Sequence, residues 1–341
     1  MKIAIVILNW NGLKHLKEFL PSVLKHSGKN PIYIIDNYST DSSVEFVKET
    51  YPEIKLILNN DNFGYAKGYN EGLKKVKEEI YCLLNNDVEV TKDWLNPIIE
   101  EFTNNESVVI AQPKILDYKI KNKFEYAGAA GGFIDYFGYP YCRGRIFSNI
   151  EKDNGQYDQN IDIFWASGAC FFIRKNTYEL LNGFDENFIN HMEEIDLCWR
   201  LTNLNLNLKK RFLYKSVVFH LGGGSLNYEN PKKLFYNIRN QRWMIIKNMN
   251  LLNNFSPTIY VVQCINLFLG LYYLIINKTN HFKEIYNAMF QSSIINNEKR
   301  VNISKSYRMT ISNEIKPKHF AIKSILYQYI IRARKKYSDL T

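Results

Sequence analysis

Cysteine is scarce and scattered. The five residues Cys82, Cys142, Cys170, Cys198 and Cys264 include no CxxC pair, which argues against a zinc module or a disulfide scaffold and fits a reducing compartment. Nine prolines and 17 glycines among 341 residues are too few for a collagen-like or linker-type chain. Internal repeats and low-complexity tracts are missing. The N-terminus also lacks a long apolar run. It opens on Lys2-Ile-Ala-Ile-Val-Ile-Leu8, too short and too polar at its flank for a secretory signal, so a cytoplasmic location is expected.

What is present is a folding composition. The chain is 46% hydrophobic, with 24 Tyr and 21 Phe, which excludes a disordered chain and allows a substantial core. Charge is unevenly spread. Residues 1–225 hold 26 basic and 29 acidic side chains, whereas residues 226–341 hold 18 and 5. A tail with a balance of +13 points to an anionic partner, either a membrane face or nucleic acid.

The first 110 residues alternate short apolar runs with helix-like stretches. Strands are predicted at 2–8, 32–36, 54–58 and 80–84, with helices at about 13–27, 41–50, 65–78 and 93–104. This alternation reads as βαβ units on a parallel sheet, with functional loops at the C-terminal strand ends. Ser39-Thr-Asp41-Ser and Thr91-Lys-Asp93 supply N-cap candidates. Residues 105–160 are Gly/Tyr-rich and read as a mobile loop region, followed by strands at 163–173 and 216–220 and a helix from Glu193. In the tail, residues 258–276 are apolar but for Gln263, Asn266 and Gly270. A spanning helix needs about 20 apolar residues, so this segment reads as a core helix, an interfacial helix or, least favoured, a span.

Polar residues follow three of the predicted strands: Asn9, Asp36-Asn37 and Asn86-Asp87. On an open α/β sheet they share the rim where ligands bind. Asp87 suits a divalent cation that also meets phosphate, although an isolated turn Asp more often caps a helix. Glu193-Glu194-Ile-Asp196 opens a helix, where carboxylates also suit the helix dipole. His220 ends an apolar strand before Leu221-Gly-Gly-Gly-Ser225. It is a metal ligand or a hydrogen-bonded sheet-edge histidine.

The order of these segments carries more than any one of them. Asp36, Asn85-Asn86-Asp87-Val-Glu89, Ser167-Gly-Ala-Cys-Phe-Phe172, Gly183-Phe-Asp-Glu186 with Glu193-Glu-Ile-Asp-Leu-Cys-Trp-Arg200, and then His220 together resemble family 2 glycosyltransferases of the GT-A fold, in particular the rhamnosyltransferase-like branch. The resemblance spans residues 2 to about 245. It implies an α/β fold with a GT-A-like, mostly parallel sheet flanked by helices. A catalytic domain at 1–225 would precede a basic helical extension at 226–341. It also implies roles. Asp36 holds the nucleotide base, and Asn62-Phe-Gly64 forms a loop beside the nucleotide. The DxD motif falls on Asn85-Asn86-Asp87, leaving Asp87 as its acidic member, with His220 completing the metal shell. The Glu193-Glu194 pair supplies the general base, nominated as Glu194. Where many relatives carry an Arg this chain has Tyr69, so phosphate charge is assigned to Lys67, Arg143, Arg145 or Arg239.

Transfer from a nucleotide-sugar expels a nucleoside diphosphate, and a divalent ion (Mn2+ or Mg2+) stabilises the charge that develops. The acceptor hydroxyl needs one base, so direct displacement inverts the anomeric carbon. The implied donor is UDP-, dTDP- or GDP-linked, and the acceptor is a glycan or lipid-linked glycan. The expected site is therefore Glu194 and Glu193 for catalysis, Asn9, Asp36, Asn62, Gly64, Lys67 and Asn86 for the donor, and Asp87 and His220 for the metal. The tail is expected to rest peripherally on an anionic inner membrane face. Two rivals differ in class. A nucleotidyltransferase is disfavoured because Leu8-Asn-Trp-Asn-Gly12 is not a basic Gly-rich loop. A nucleic-acid-binding protein would use Tyr307-Arg308 and Tyr337 of the tail, but no binding motif accompanies them, and no nucleic-acid partner is expected.

Overall fold

The computed structural model describes residues 1–204, 206–222, 230–249, 257–291 and 322–340. The chain alternates β1 (Ile3–Asn9), α1 (Leu13–His26), β2 (Ile32–Asp36), α2 (Ser43–Thr50), β3 (Lys55–Leu58), α3 (Gly64–Leu73) and β4 (Ile80–Asn85). These four strands pair in parallel in the spatial order β3-β2-β1-β4. Every residue of β2, and all but one of β1, is buried, as expected for strands covered on both faces. Alternate side chains enter two separate cores. Ile3, Ile5 and Ile7 face Leu16, Leu20 and Val23 of α1. Ala4 and Val6 share the other core with Ala66, Tyr69 and Leu73 of α3.

Beyond β4 come β5 (Val88–Val90), α4 (Asn96–Asn104) and the ten-residue β6 (Val108–Asp117). The expected loop region at 105–160 is therefore folded. It contains β6 and a four-stranded antiparallel sheet of β7 (Gly132–Ile134), β8 (Pro140–Cys142), β9 (Arg145–Ile146) and β10 (Asn149–Ile150). Phe124, Ile134 and Cys142 anchor this stretch in the core, which offsets the freedom of its glycines. The apolar run at 163–173 is also not one strand. After the short β11 (Ile161–Asp162) the chain crosses the core irregularly, with Ser167 N–H donating to Gln112 Oε1, and only β12 (Cys170–Arg174) is extended. The cap candidates act differently from expectation: neither α2 nor α4 has a side-chain N-cap bond at its cap residue, and Asp41 instead accepts from the Ser43 N–H inside the turn.

β12 runs antiparallel between β4 and β6. After α5 (Lys175–Leu180) and α6 (Glu193–Asn203), β13 (Lys209–His220) lies parallel to β6, and its last residues pair antiparallel with β5. Three helices follow: α7 (Pro231–Asn248), α8 (Pro257–Ile275) and α9 (Thr279–Gln291), which pack on one another. The segment with α10 (Ile325–Ile330) returns to the small sheet, burying Ile322 and Ile325 against Tyr141 and Ile146.

Candidate active site

The C-terminal ends of β1, β2 and β4 form one polar rim. The register puts Asn9 beside Asp36 and Leu8 beside Asn85. Asn86 Nδ2 donates to Asn9 Oδ1 (3.1 Å), and Asn9 Nδ2 donates to Asp36 Oδ1 (3.1 Å). The Ser39 N–H donates to Asp36 Oδ2 (2.8 Å), so this buried carboxylate is held from both sides. The rim continues through Asn37, whose amide donates to Asn62 Oδ1 (2.9 Å) and to Gly64 O (3.0 Å). Gly64 needs to be glycine: its φ is +72°, and a Cβ would stand 3.1 Å from Ile189 O. Lys67 lies over the Phe63 ring at 4.4 Å on the same stretch.

A second group meets at the ends of β4 and β13. His220 Nε2 lies 3.1 Å from Asp87 Oδ1, and its Nδ1 lies 3.4 Å from Glu125 Oε2. All three side chains are buried. Burial disfavours the charged imidazole, but the two carboxylates outweigh it and hold His220 well above the usual histidine value. Burial likewise opposes ionisation of Asp87, yet His220 keeps its carboxyl below the usual range. The donor set fits a hard divalent ion. Asp87 Oδ1 and His220 Nε2, now 3.1 Å apart, would both turn to such an ion once Nε2 gives up its proton. No cluster of three or more His, Cys, Asp and Glu ligands occurs among the described residues. Other coordination positions would fall to water and phosphate oxygens, a common arrangement for Mg2+. Glu125 was not anticipated. It sits in the stretch read as a loop, and only the pairing of β13 with β5 and β6 brings it to the far side of His220.

The third group opens α6. Burial raises the Glu194 carboxyl above the ordinary range, and raises Glu193 further, with the neighbouring Glu194 charge adding to it. Each keeps one buried carboxylate oxygen, Oε2, without a hydrogen-bond partner. Glu193 is the more deeply buried of the two, which leaves Glu194 for contact with a ligand. Gly168 makes room for Tyr65 next to it: a Cβ there would lie 2.9 Å from the Tyr65 hydroxyl, and the Glu194 carboxyl carbon is 3.8 Å from the same point. Tyr65 donates to Gly168 O (3.0 Å), and its own N–H donates to Ile189 O (3.3 Å). The donor-side loop, β12 and the helix bearing Glu194 are thereby joined.

The chain enters α6 through His191 and Met192, both left-handed at φ 72° and 74°, a conformation costly for residues with side chains. The fully buried Asn240 of α7 donates to Asn190 O and His191 O, each at 2.8 Å. The sequence offered no signal for that role. Asp196, by contrast, is structural. It accepts from Arg200 Nε (2.7 Å), Lys247 Nζ (2.9 Å) and Asn248 Nδ2 (2.8 Å). Lys247 also pairs with Asp185 at 2.7 Å. The expected phosphate roles of Arg143 and Arg145 are overturned. Arg143 is buried, donating to Ala130 O, Tyr157 O and Gln159 O. Arg145 is buried over the Tyr126 ring and donates to Cys142 Sγ. Lys67 and the half-buried Arg239, stacked 4.2 Å over Trp243, remain. The glycine run beyond Gly222, and the expected boundary at 225/226, lie outside the described residues.

An open sheet whose polar strand ends face a carboxylate–histidine pair and a helix-borne carboxylate pair defines a nucleotide-dependent transferase of the GT-A type. The chain belongs to glycosyl transferase family 2, whose family model matches residues 4–181. It is therefore a glycosyltransferase. It is 22% identical over 231 residues to N-acetylglucosaminyl-diphospho-decaprenol L-rhamnosyltransferase of Mycobacterium tuberculosis, covering 58% of this chain and 70% of that one. It is 24% identical over 213 residues to the low-salt glycan biosynthesis hexosyltransferase Agl10 of Haloferax volcanii, covering 60% and 63%. Among solved structures, GalNAc-T7 with UDP, GalNAc and Mn2+ superposes with a TM-score of 0.54 at 17% identity, over 72% of this chain. The chain spans about half (48%) of that protein, and the likeness shows the shared GT-A fold. The matched family region contains Asn9, Asp36, Asn62, Gly64, Lys67, Asn86 and Asp87. It ends before Glu193, Glu194 and His220.

Proposed function

We propose that this glycosyltransferase is inverting and metal-dependent. It would move a sugar from a UDP-, dTDP- or GDP-linked donor to a hydroxyl of a glycan or lipid-linked glycan. The observation that carries this reading is the pairing of a buried Asp87–His220 contact on the donor rim with an unpartnered Glu194 oxygen beside Gly168. Asp87 and His220 would hold a divalent cation, Mn2+ or Mg2+, which supplies charge neutralisation at the departing diphosphate. Glu125, whose Oε2 lies 3.4 Å from His220 Nδ1, would orient the imidazole so that Nε2 faces Asp87. Asp36 and Asn9 take the base side of the donor, Asn62, Gly64 and Asn86 line its path, and Lys67 and Arg239 are the cations left for phosphate. Glu194 Oε2 receives the acceptor proton as the hydroxyl oxygen bonds to the anomeric carbon. The bond to the diphosphate oxygen breaks, and that oxygen keeps the electron pair. Burial, with the Glu194 charge beside it, raises the Glu193 carboxyl and so disfavours a second negative charge next to the base. Residues 1–225 form the catalytic unit in this reading, extended by α7, and the basic remainder lies peripherally on the cytoplasmic membrane face.

The test is a thermal-shift series with UDP-, dTDP- and GDP-sugars and Mn2+, run on wild type and Glu194→Gln. One donor class should raise Tm in both proteins by mass action, while Glu194→Gln lowers turnover about 10²–10⁴-fold. Near-normal turnover in the variant would remove Glu194 as base. No shift with any nucleotide-sugar would overturn the donor assignment.

A further inference from the structure

The helices α8 and α9 carry an apolar surface that the other described residues leave exposed. One stripe of α8 (Thr258, Ile259, Val262, Asn266 and Gly270) is buried. The opposite stripe carries Leu267, Phe268, Leu271, Tyr272 and Ile275, with Phe268 70% and Ile275 79% exposed. Tyr286 of α9 is also exposed. Only 28% of the most apolar 18-residue window of α8 is buried, so the core-helix expectation for this segment is not met. Contiguous apolar surface of this kind marks an interaction site.

We infer that this face rests in the interfacial layer of a lipid bilayer, with α8 lying in the membrane plane. Three observations select a bilayer. Residues 257–277 contain no charged side chain, whereas residues 230–291 contain seven Lys and Arg against a single Glu. Of these cations Lys247 pairs with Asp185 and Asp196 and Arg242 is buried. Lys278 and Lys283, however, directly follow the uncharged helix, and an apolar face with cations beside it fits an anionic lipid surface. The exposed set mixes aliphatic side chains with tyrosines, which favour the headgroup boundary. The inner stripe is already engaged. A Cβ on Gly270 would stand 3.3 Å from Phe282 and 3.5 Å from Ile285, so α9 packs closely there, and a spanning α8 would have to abandon α9 and α7. The arrangement also places the membrane usefully. α7 contacts the catalytic loop through Asn240 on one side and α8 and α9 on the other, so α7 and α8 together, about two helix layers or roughly 20 Å, would separate that loop from the bilayer. This deepens the membrane location proposed above and assigns it a surface.

The test uses the full chain, its Phe268→Glu/Ile275→Glu variant and vesicles of mixed phosphatidylglycerol and phosphatidylcholine. Wild type should float with these vesicles and keep part of its binding in high salt. The variant should lose about tenfold or more in affinity for each large side chain removed, while keeping its donor-induced thermal shift as proof of folding. Equal binding by the two proteins would leave the membrane location standing and overturn the α8 face as its cause. No vesicle binding by wild type would overturn both. Dimerisation in sedimentation that the variant abolishes, without a change in vesicle binding, would assign the face to a second copy. Release only by detergent would make α8 a span and refute the in-plane arrangement.

Discussion

Replacing Asn240 by alanine should disable the enzyme without touching a reacting atom. The two hydrogen bonds from this side chain to Asn190 O and His191 O each contribute about 0.5–1.5 kcal/mol net. The turn they hold contains two consecutive left-handed residues, His191 and Met192, each costing about 1–3 kcal/mol. The two quantities are of the same size. Removing the bonds therefore lets the strained turn relax, and the turn leads directly into Glu193 and Glu194. A shift of about 1.4–2.7 kcal/mol between the strained and relaxed forms lowers the competent population about 10–100-fold. The expected result is a fall in kcat of that order, with most of the donor-induced thermal shift retained because Asp36, Asn62 and Asn86 are untouched and only Arg239 loses a bond, to Asn240 Oδ1. Asn240→Asp, which keeps the shape but loses both donor hydrogens, should behave alike. Adding His191→Gly to Asn240→Ala should recover part of kcat, since glycine tolerates φ > 0. A kcat within about twofold of wild type for Asn240→Ala would refute the reasoning.

Glu125→Gln should weaken Mn2+ binding about 10–100-fold, the usual effect of losing the partner that orients a metal-binding histidine. Electron paramagnetic resonance titration with nucleoside diphosphate present measures this, and an unchanged affinity would leave Glu125 a purely structural neighbour. Lys210 is buried beneath α6, donating to Cys198 O and Thr202 Oγ1, and burial pulls its ammonium down to about 8. The unfolded chain then binds more protons between about pH 8 and 10.5, so wild-type stability should rise with pH through that window. Lys210→Met should flatten the rise and match or exceed wild type at pH 7 in urea unfolding. A lower midpoint at both pH 7 and pH 9.5 would show that the two hydrogen bonds outweigh the buried charge.

Local pattern alone placed β1, β2 and β4, because a strand covered on both faces must be apolar throughout and must end where polar residues begin, and the apolar run 56–58 marked the more exposed edge strand β3. That rule set Asn9, Asp36 and Asp87 on one rim before any fold was known. The order of the later motifs pointed to Glu194 and His220, although neither spacing nor composition could tell a catalytic carboxylate from a helix-dipole one. Tertiary structure shows which of these carboxylates is committed to packing. Asp196 binds Arg200, Lys247 and Asn248 and is committed to packing, while Glu194 keeps a free oxygen beside Gly168. Arg143 and Arg145 looked available for phosphate because sequence does not reveal burial, and the small antiparallel sheet encloses both. The contact of His220 with Asp87 and Glu125 joins residues 133 and 95 positions apart. It exists only because the end of β13 pairs with β5 and β6, and long-range strand pairing of this kind leaves no periodic trace in the segments it joins. The exposed face of α8 follows the same logic: apolarity is written in the sequence, but which stripe is covered depends on where α7 and α9 pack.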